Sequence, residues 1–301
     1  MADRLSGIGA FVEAAEAGSF ARAAERMSLS RSAVGKSIAR LEERLGTRLF
    51  YRTTRSQSLT DDGQAFYERC VRALAELEAA ESVLDDSRRA PTGRLRISVP
   101  VLLGRRCVTP VVLDILRRYP QLGLEMSFTD RRVDLVEEGF DLVVRSGELP
   151  DSAGLVARRI GVQKLVVCAS PSYLAERGRP QALAELSGHE VIVYGRAGWS
   201  KAWNFLDAKG EARDLQFSSR IHLDDLEAIT DATLAGEGLA WLPGWLVAEH
   251  LRSGALERVL ENETSRDFDV HVVWPQSRHL PMRVRVVIDE LIRRIPGFMA
   301  F

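Results

Sequence analysis

The sequence predicts an α/β fold in three successive parts, and three observations carry that prediction. Phe20 to Phe50 reads as two short helices joined by a tight turn. Asp61 to about Arg89 reads as one long helix. Beyond the hinge at Pro91-Thr92-Gly93, strands and helices alternate, the pattern of a parallel sheet covered by helices.

The composition agrees with a chain of more than one domain. Its 301 residues exceed one typical domain, 46% are hydrophobic and 28% are charged. No run of about 18 apolar residues appears, so no membrane span and no membrane partner are expected. The N-terminal MADRLSGIGAF lacks the apolar core of a signal peptide, which predicts a cytoplasmic protein. Cys70, Cys107 and Cys168 are isolated and odd in number, against a disulfide framework or a zinc site. The formal net charge of −1 excludes a general polycation.

Asp3 to Gly18 is expected as a first helix with Leu5, Ile8, Phe11, Val12 and Ala15 inward. Ser19 then caps the Ala-rich stretch from Phe20 to Met27. Ser30 caps a helix from Arg31 to Leu45, on which Val34, Ile38, Leu41 and Leu45 form one apolar stripe, and Gly46 ends it. Arg31, Ser32, Gly35, Lys36, Ser37 and Arg40 lie largely off that stripe. Such a helix suits a DNA major groove. From periodicity alone an ordinary helical hairpin with a solvated basic face fits equally well. Two further signals favour DNA. Gly46 to Arg52 and Ser58 to Thr60 look like the short strands of a wing, with Thr53, Thr54 and Arg55 at its tip. Between Arg22 and Arg55, nine Lys/Arg stand against three acids, a surplus of six. The candidate base readers are Ser30, Arg31, Ser32, Lys36 and Arg40; Arg52, Thr54 and Arg55 are candidates for phosphate.

The long helix starts at the Thr60 cap, and Asp61 and Asp62 suit its positive end. Phe66, Cys70, Ala73, Leu77, Ala80 and Leu84 step by four and three, the seam of paired helices. At roughly 30 residues it spans about 45 Å. A helix from a second subunit is the expected cover; a core helix of one domain is the alternative.

Further on, strands are expected at Leu95–Val99, Leu122–Phe128, Asp141–Arg145, His189–Tyr194, Leu239–Leu242 and Val270–Trp274. Helices are expected at Val108–Tyr119, Val133–Gly139, Ser172–Arg177, Leu183–Leu186, Leu223–Leu234 and Val284–Ile295, with a crossing between subdomains near Gly161.

The run FVEAAEAGSFARAAERMSLSRSAVGKSIARLEERLGTRLFYRTTRSQSLTDDGQAFYERC resembles the N-terminal domain of LysR-type transcriptional regulators. Arg31 stands where Gln is usual in that family and Gly35 where Ser is usual. GRLRISVP, YPQLGLEMSFTDRRVDLVEEGFDLVVRSGEL, VVCASPSYLAERG and DDLEAITDATLAGEGLAWLPGWLV resemble the effector domain of the same regulators, so the resemblance covers nearly the whole chain. It implies a winged helix-turn-helix over 1–60, a linker and dimerisation helix over 61–90, and an effector domain over 91–301. That domain is similar to type 2 periplasmic binding proteins, with lobe one at 92–161 plus 266–301 and lobe two at 162–265.

The resemblance and lobe geometry together place a small molecule between the lobes, a usual place for a site. Candidate contacts are Pro100, Val101, Leu102, Thr129, Asp130, Arg145, Ser146, Gly147, the 194–200 stretch with Tyr194, Arg196, Trp199 and Ser200, then Thr230 and Pro243, with Trp203 a further lining candidate. Relatives often carry Ser or Thr near Val101, where this chain is apolar. Arg145 and Arg196 predict an anionic effector, against the alternative that both serve structural ion pairs with residues such as Glu148 or Asp141.

Other chemistries find no support. His189, His222, His250, His271 and His279 lack metal spacing, Gly236-Glu237-Gly238 lacks the rest of a dinucleotide fingerprint, and no G-x-S-x-G elbow occurs. Asp224 and Asp225 are adjacent and read as a helix cap. No cofactor and no metal are expected. The prediction is a DNA-binding regulator and not an enzyme. It is expected to act as a homodimer or homotetramer on an interrupted palindrome in promoter DNA, with a small effector and RNA polymerase as further partners. The alternative is a solute-binding protein or enzyme on the binding-protein fold; a third reading keeps the DNA-binding part and gives the effector domain a role in assembly alone.

Overall fold

The computed structural model describes residues 5–52, 57–84, 90–149, 154–196, 199–207, 209–277 and 280–301. Two compact units meet in sequence between Ala90 and Pro91, and the short segments Asp134–Gly139 and Ser277–Met282 group with the first.

The first unit contains α1 (Ile8–Ala17), α2 (Phe20–Arg26), α3 (Arg31–Leu45), β1 (Phe50–Arg52), β2 (Gln57–Leu59) and α4 (Asp61–Leu84). Short polar side chains start the helices. Ser19 Oγ accepts from Arg22 N at 3.2 Å, Ser30 Oγ from Ala33 N at 3.1 Å, and Thr60 Oγ1 from Gly63 N at 2.9 Å. Gly46, at φ 70°, ends α3 in the left-handed region. Phe11 sits between Phe50 and Phe66, with ring centroids 5.4 Å away on each side. Val34, Ile38 and Leu41 are buried in the same core. The wing strands are antiparallel, Phe50 opposite Leu59. Glu42 Oε1 accepts from Leu49 N at 2.9 Å and Phe50 N at 3.3 Å, tying the wing to α3.

Three expectations change here. The first helix begins at Ile8, because Gly7 at φ 86° breaks the helical path, and Leu5 is 50% exposed instead of inward. The α3 stripe stops at Leu41, since Leu45 is 38% exposed. The α4 seam divides. Phe66 and Cys70 pack into the core of their own unit, and burial pushes the Cys70 thiol up to about 11, whereas Ala73 and Leu77 are exposed. Cys70 is therefore a core residue of its own unit and Phe66 packs against that core with part of its surface; Ala80 and Leu84 continue the helix.

The second unit begins with β3 (Gly93–Val99), α5 (Val101–Leu103), a π-helical turn over Gly104–Val108, α6 (Thr109–Arg118), β4 (Leu122–Phe128), β5 (Leu142–Ser146) and β6 (Leu155–Gln163). The chain then enters β7 (Leu165–Ala169), α7 (Pro171–Arg177), a 3-10 turn over Leu183–Gly188, β8 (Val191–Arg196), β9 (Trp199–Ser200), β10 (Trp203–Leu206), β11 (Ala212–Leu215), β12 (Ile221–Leu223), α8 (Leu226–Leu234), β13 (Leu239–Pro243), α9 (Gly244–Ser253), β14 (Glu257–Val259) and β15 (Thr264–Ser265). It closes with β16 (Phe268–Pro275) and α10 (Met282–Phe298).

Lobe one is built on a sheet ordered β4-β3-β5-β16-β6, lobe two on β12-β8-β13-β7-β14, with a separate sheet β11-β10-β15. The βαβ part of each sheet is parallel, as predicted from the alternation. Both sheets are mixed, however. β6 and β16 carry the chain out of and back into lobe one without a helical crossover, so they add antiparallel. Gly161 lies inside β6 and not at the crossing; a Cβ there would come within 2.7 Å of Met299 Sδ, so this glycine admits the end of the last helix. The crossing falls at Lys164, between β6 and β7. Residues 135–139 make a single turn instead of a helix: Asp134 caps it through Val136 N and Glu137 N, Glu138 N donates to Asp134 O, and Gly139 at φ 69° ends it before a second turn can form. Among the described residues, no helix is long and apolar enough to cross a membrane.

Candidate nucleic-acid interface and ligand cleft

The α3 geometry sorts its residues by face. Val34, Ile38 and Leu41 are buried; Arg31, Ser32, Lys36 and Arg40 are exposed, as is the Ser30 cap. Gly35 and Ser37 are half-buried, and a Cβ on Gly35 would meet nothing within 4 Å, so no packing requirement accounts for that glycine. The exposed face carries guanidinium, ammonium and hydroxyl groups and offers no large apolar side chain. Behind it, Arg26 pairs with Glu13 at 3.1 Å and Arg44 donates to Ser6 O at 3.3 Å, so these two cations brace the unit. Arg52 belongs to β1; Thr54 and Arg55 lie outside the described residues.

The second site is a cavity of about 720 Å³ in the second unit, at the carboxyl ends of β3, β4, β5, β8 and β13. Ligands in open α/β sheets sit in such a crevice. It brings together Pro100, Val101, Leu102, Thr129, Asp130, Arg145, Ser146, Gly147, Tyr194, Trp199, Trp203 and Pro243.

Three predicted contacts fall outside the lining. The Thr230 hydroxyl donates to Leu226 O at 2.8 Å, one turn back in α8, and the residue is buried. Arg196 lies at the exposed end of β8, past Tyr194. The Ser200 hydroxyl turns to Gln216 Oε1 at 3.4 Å.

Lining residues that sequence reasoning missed include Lys201, Trp241, Trp245, Phe268 and His271. The only sequence signal for them was the cluster of aromatics at Trp199 and Trp203 with a lysine between. Four of the five tryptophans line this one cavity. Trp199 leaves 54% of its surface exposed and meets Tyr194 edge-on, centroids 6.3 Å apart. Trp245 Nε1 and His271 Nδ1 are buried with no hydrogen-bond partner among the described residues.

Charge is distributed unevenly around the cleft. Asp130 Oδ1 accepts from Val101 N at 3.3 Å, and Asp225 caps α8 through Ala228 N at 2.8 Å. The walls withdraw water from Asp130, and the carboxylates of Asp225 and Asp224 add repulsion; together they hold its pKa above the ordinary range against the pull of Val101 N and Arg145. Burial and the same acids push Tyr194 up to about 12. Arg145 extends its guanidinium to Ser98 Oγ at 3.0 Å and to Val144 O at 2.6 Å. Lys201 is different. Its backbone N–H donates to Tyr194 O at 2.8 Å, and its ammonium lies 4.2 Å from the Phe268 ring centroid. Lys201 is exposed, and the partial loss of water around its ammonium lowers its pKa.

At the cleft margin the lobes are linked by charge. Glu227 of lobe two accepts from Arg105 at 2.7 Å and Arg106 at 2.6 Å, both of lobe one, while Arg266 pairs with Glu148 at 2.7 Å within lobe one.

Comparison with known proteins identifies the two parts of the chain. The family of bacterial regulatory helix-turn-helix proteins of the lysR type matches residues 5–64, and the LysR substrate binding domain matches residues 88–296. The regulator CrgA of Neisseria meningitidis serogroup C is 34% identical, covering 95% of this chain and 95% of its own length. The structure of CrgA, a LysR-type transcriptional regulator from Neisseria meningitidis, aligns at TM-score 0.61 and 33% identity over 95% of this chain and 97% of that one. The full-length Vibrio cholerae virulence activator AphB aligns at TM-score 0.60 and 28% identity, over 97% and 99%. The chain belongs to the LysR family of transcriptional regulators, with an N-terminal helix-turn-helix DNA-binding domain and a C-terminal substrate-binding domain.

Proposed function

We propose that this regulator reads an interrupted palindrome in promoter DNA through Ser30, Arg31, Ser32, Lys36 and Arg40, with Arg52, Thr54 and Arg55 on phosphate. The observation that carries the reading is the capped α3, which buries Val34, Ile38 and Leu41 and leaves a cationic face in water. The protein works in the cytoplasm as a homodimer or homotetramer, contacts RNA polymerase at the promoter, and carries out no catalysis of its own. A small anionic effector occupies the cleft between the lobes and alters the geometry of the DNA complex. Arg145 supports the anionic reading from the cleft wall, and Arg196 no longer does.

A footprinting titration over a salt series tests the DNA part. Arg31→Ala is expected to cost about 1–3 kcal/mol and relax preference at one base position, while Arg55→Ala weakens all sequences alike and shallows the salt slope. Unchanged affinity and preference in Arg31→Ala would remove α3 from the role of reader.

A further inference from the structure

Glu42 has a duty that its charge does not explain. It is one of three acids set among nine cations between Arg22 and Arg55, and a carboxylate on a surface that meets DNA phosphate repels it. Glu43, the next residue, is exposed, whereas Glu42 is half-buried. Glu42 Oε1 accepts from two successive backbone donors, Leu49 N at 2.9 Å and Phe50 N at 3.3 Å. A charged acceptor makes such bonds stronger than a neutral one does. Both donors stand at the root of the wing, where β1 begins at Phe50.

The apolar side chains at that root fix its depth and not its direction. Leu49 and Phe50 are buried, and Phe50 meets Phe11 and Phe20 edge-on, with centroids 5.4 Å and 5.5 Å away. Apolar burial is non-directional. Hydrogen bonds are directional, and they reach the root from two sides. On one side α3 supplies the Glu42 carboxylate. On the other, at the start of α4, the Thr60 hydroxyl donates to Arg48 O at 2.8 Å and the Thr60 N–H to Leu49 O at 3.0 Å. Beside them Thr47 Oγ1 donates to Asp62 Oδ2 at 3.0 Å. Gly63 admits this close approach, since a Cβ there would collide with Leu49 O. With both sides held, β1 leaves the root at one angle to α3, and Arg52 stands two residues along it.

We propose that Glu42 is a positioning residue for DNA binding: its carboxylate sets the angle at which the wing leaves α3, so that Arg52 meets phosphate while α3 lies in the groove. The inference rests on the reading of Arg52 as a phosphate contact and adds the residue that aims it. Two plainer duties for Glu42 lead to different outcomes. If Glu42 acts by charge alone, its removal takes an acid off a DNA-binding surface and tightens binding. If it serves stability alone, its removal lowers the amount of folded protein and leaves unchanged the number of phosphates that each bound molecule meets.

The test is a titration of the full chain against a fluorescein-labelled duplex of mixed sequence over a salt series, read by anisotropy. Glu42→Gln loses the charge and keeps the acceptor, so it should bind at least as tightly as the parent. Glu42→Ala should bind about 10-fold more weakly, with a log–log salt slope shallower by about 1, the share of one phosphate contact. Arg52→Ala should show the same loss of slope. In the Glu42→Ala background it should cost almost nothing more, because both act through one contact. Unchanged or tighter binding by Glu42→Ala overturns the proposal. So does weaker binding at the parental slope, which marks a loss of folded protein, and so do fully additive losses in the double variant. Glu42→Gln as weak as Glu42→Ala overturns it too, since the acceptor would then not matter. Parental affinity and slope in Arg52→Ala would take the wing off phosphate, and this inference would go with it. A shallower slope in Arg52→Ala beside a parental one in Glu42→Ala would keep the wing and discard Glu42.

Discussion

The α3 helix and the cleft handle charge in opposite ways. On α3, Arg31, Lys36 and Arg40 stand in water on one face of one element, while the opposite face is held by Val34, Ile38 and Leu41. In the cleft, Asp130, Asp225, Arg145 and Lys201 come from four separate stretches and shift one another's chemistry or are shifted by burial. An exposed cationic face costs the fold little and is complete before its partner arrives. A crowded, partly desolvated set of charges costs stability. The difference suggests that substitutions on α3 change binding and leave stability alone, whereas substitutions in the cleft change both.

The sharpest way to break this comparison is to attack what holds α3 in place. Ile38→Asp puts a carboxylate in a fully buried position and should cost at least about 4 kcal/mol, in the class of buried unpaired charges. Operator binding should vanish. All five tryptophans, at 199, 203, 241, 245 and 274, belong to the second unit, so their fluorescence reports that unit alone. The urea midpoint by tryptophan fluorescence should stay where it is in the parent. A midpoint that falls with operator binding would show that the two units unfold together.

Assembly comes next in size. Ala73 and Leu77 are exposed apolar positions on α4 beyond the point where Phe66 and Cys70 turn inward. Leu77→Glu should separate the subunits in sedimentation and weaken operator binding with it, since a charge at a covered apolar position costs several kcal/mol. An intact oligomer in that variant would move the subunit contact off α4.

How much of each region was legible follows from the same contrast. Everything that makes α3 a candidate reader is local: the Ser30 cap, the apolar period, the Gly46 stop, and cations on the remaining face. Each is a spacing within fifteen residues, and spacing is what a sequence displays directly. The cleft has no such period. Tyr194, Lys201, Trp245 and Phe268 meet only because two sheets face each other, and nothing in the local pattern around Lys201 announces Phe268. Arg196 and Thr230 fall outside the cleft lining for a related reason. Their strand or helix was assigned correctly, yet whether a side chain points into the crevice depends on a neighbour hundreds of atoms away. Gly161 and the 133–139 segment show the reverse error: a glycine read as a break admits Met299, and a helix-like pattern capped by Asp134 is stopped after one turn by Gly139 at φ 69°. The seam on α4 was legible as a stripe, but a stripe does not say which half covers its own unit.

The lobes offer a smaller test. Glu227→Ala removes both ion pairs that Arg105 and Arg106 make across the cleft margin. The arginines are more than half exposed, so each pair should contribute only about 0.2–1 kcal/mol, fading at high salt. A loss above about 3 kcal/mol in urea denaturation would mark the pairs as a buried structural unit and bring the cleft margin closer in character to a core.

The smallest effect tests whether the cleft carries charge at a cost. The Asp130 carboxyl sits above its ordinary value of 3.8 because burial and the neighbouring acids disfavour its charged form. Below that ordinary value the group is protonated both folded and unfolded, and it contributes no pH dependence. As pH rises through the ordinary value, the unfolded chain loses the proton first, and the folded chain holds it until the raised value is passed. Over that window the unfolded state binds fewer protons, so stability falls with rising pH. Asp130→Asn cannot ionise, keeps an oxygen to accept from Val101 N, and removes the repulsion with Asp225 and Asp224. The variant should therefore match the parent in acid and become the more stable of the two as pH climbs past the raised value, staying so at neutral pH. Urea midpoints by tryptophan fluorescence across that range measure the difference. Should the variant prove less stable than the parent at neutral pH, the attraction between Asp130 and Arg145 would outweigh desolvation, and the cleft would be a balanced ion network instead of a set of charges held at a cost to stability.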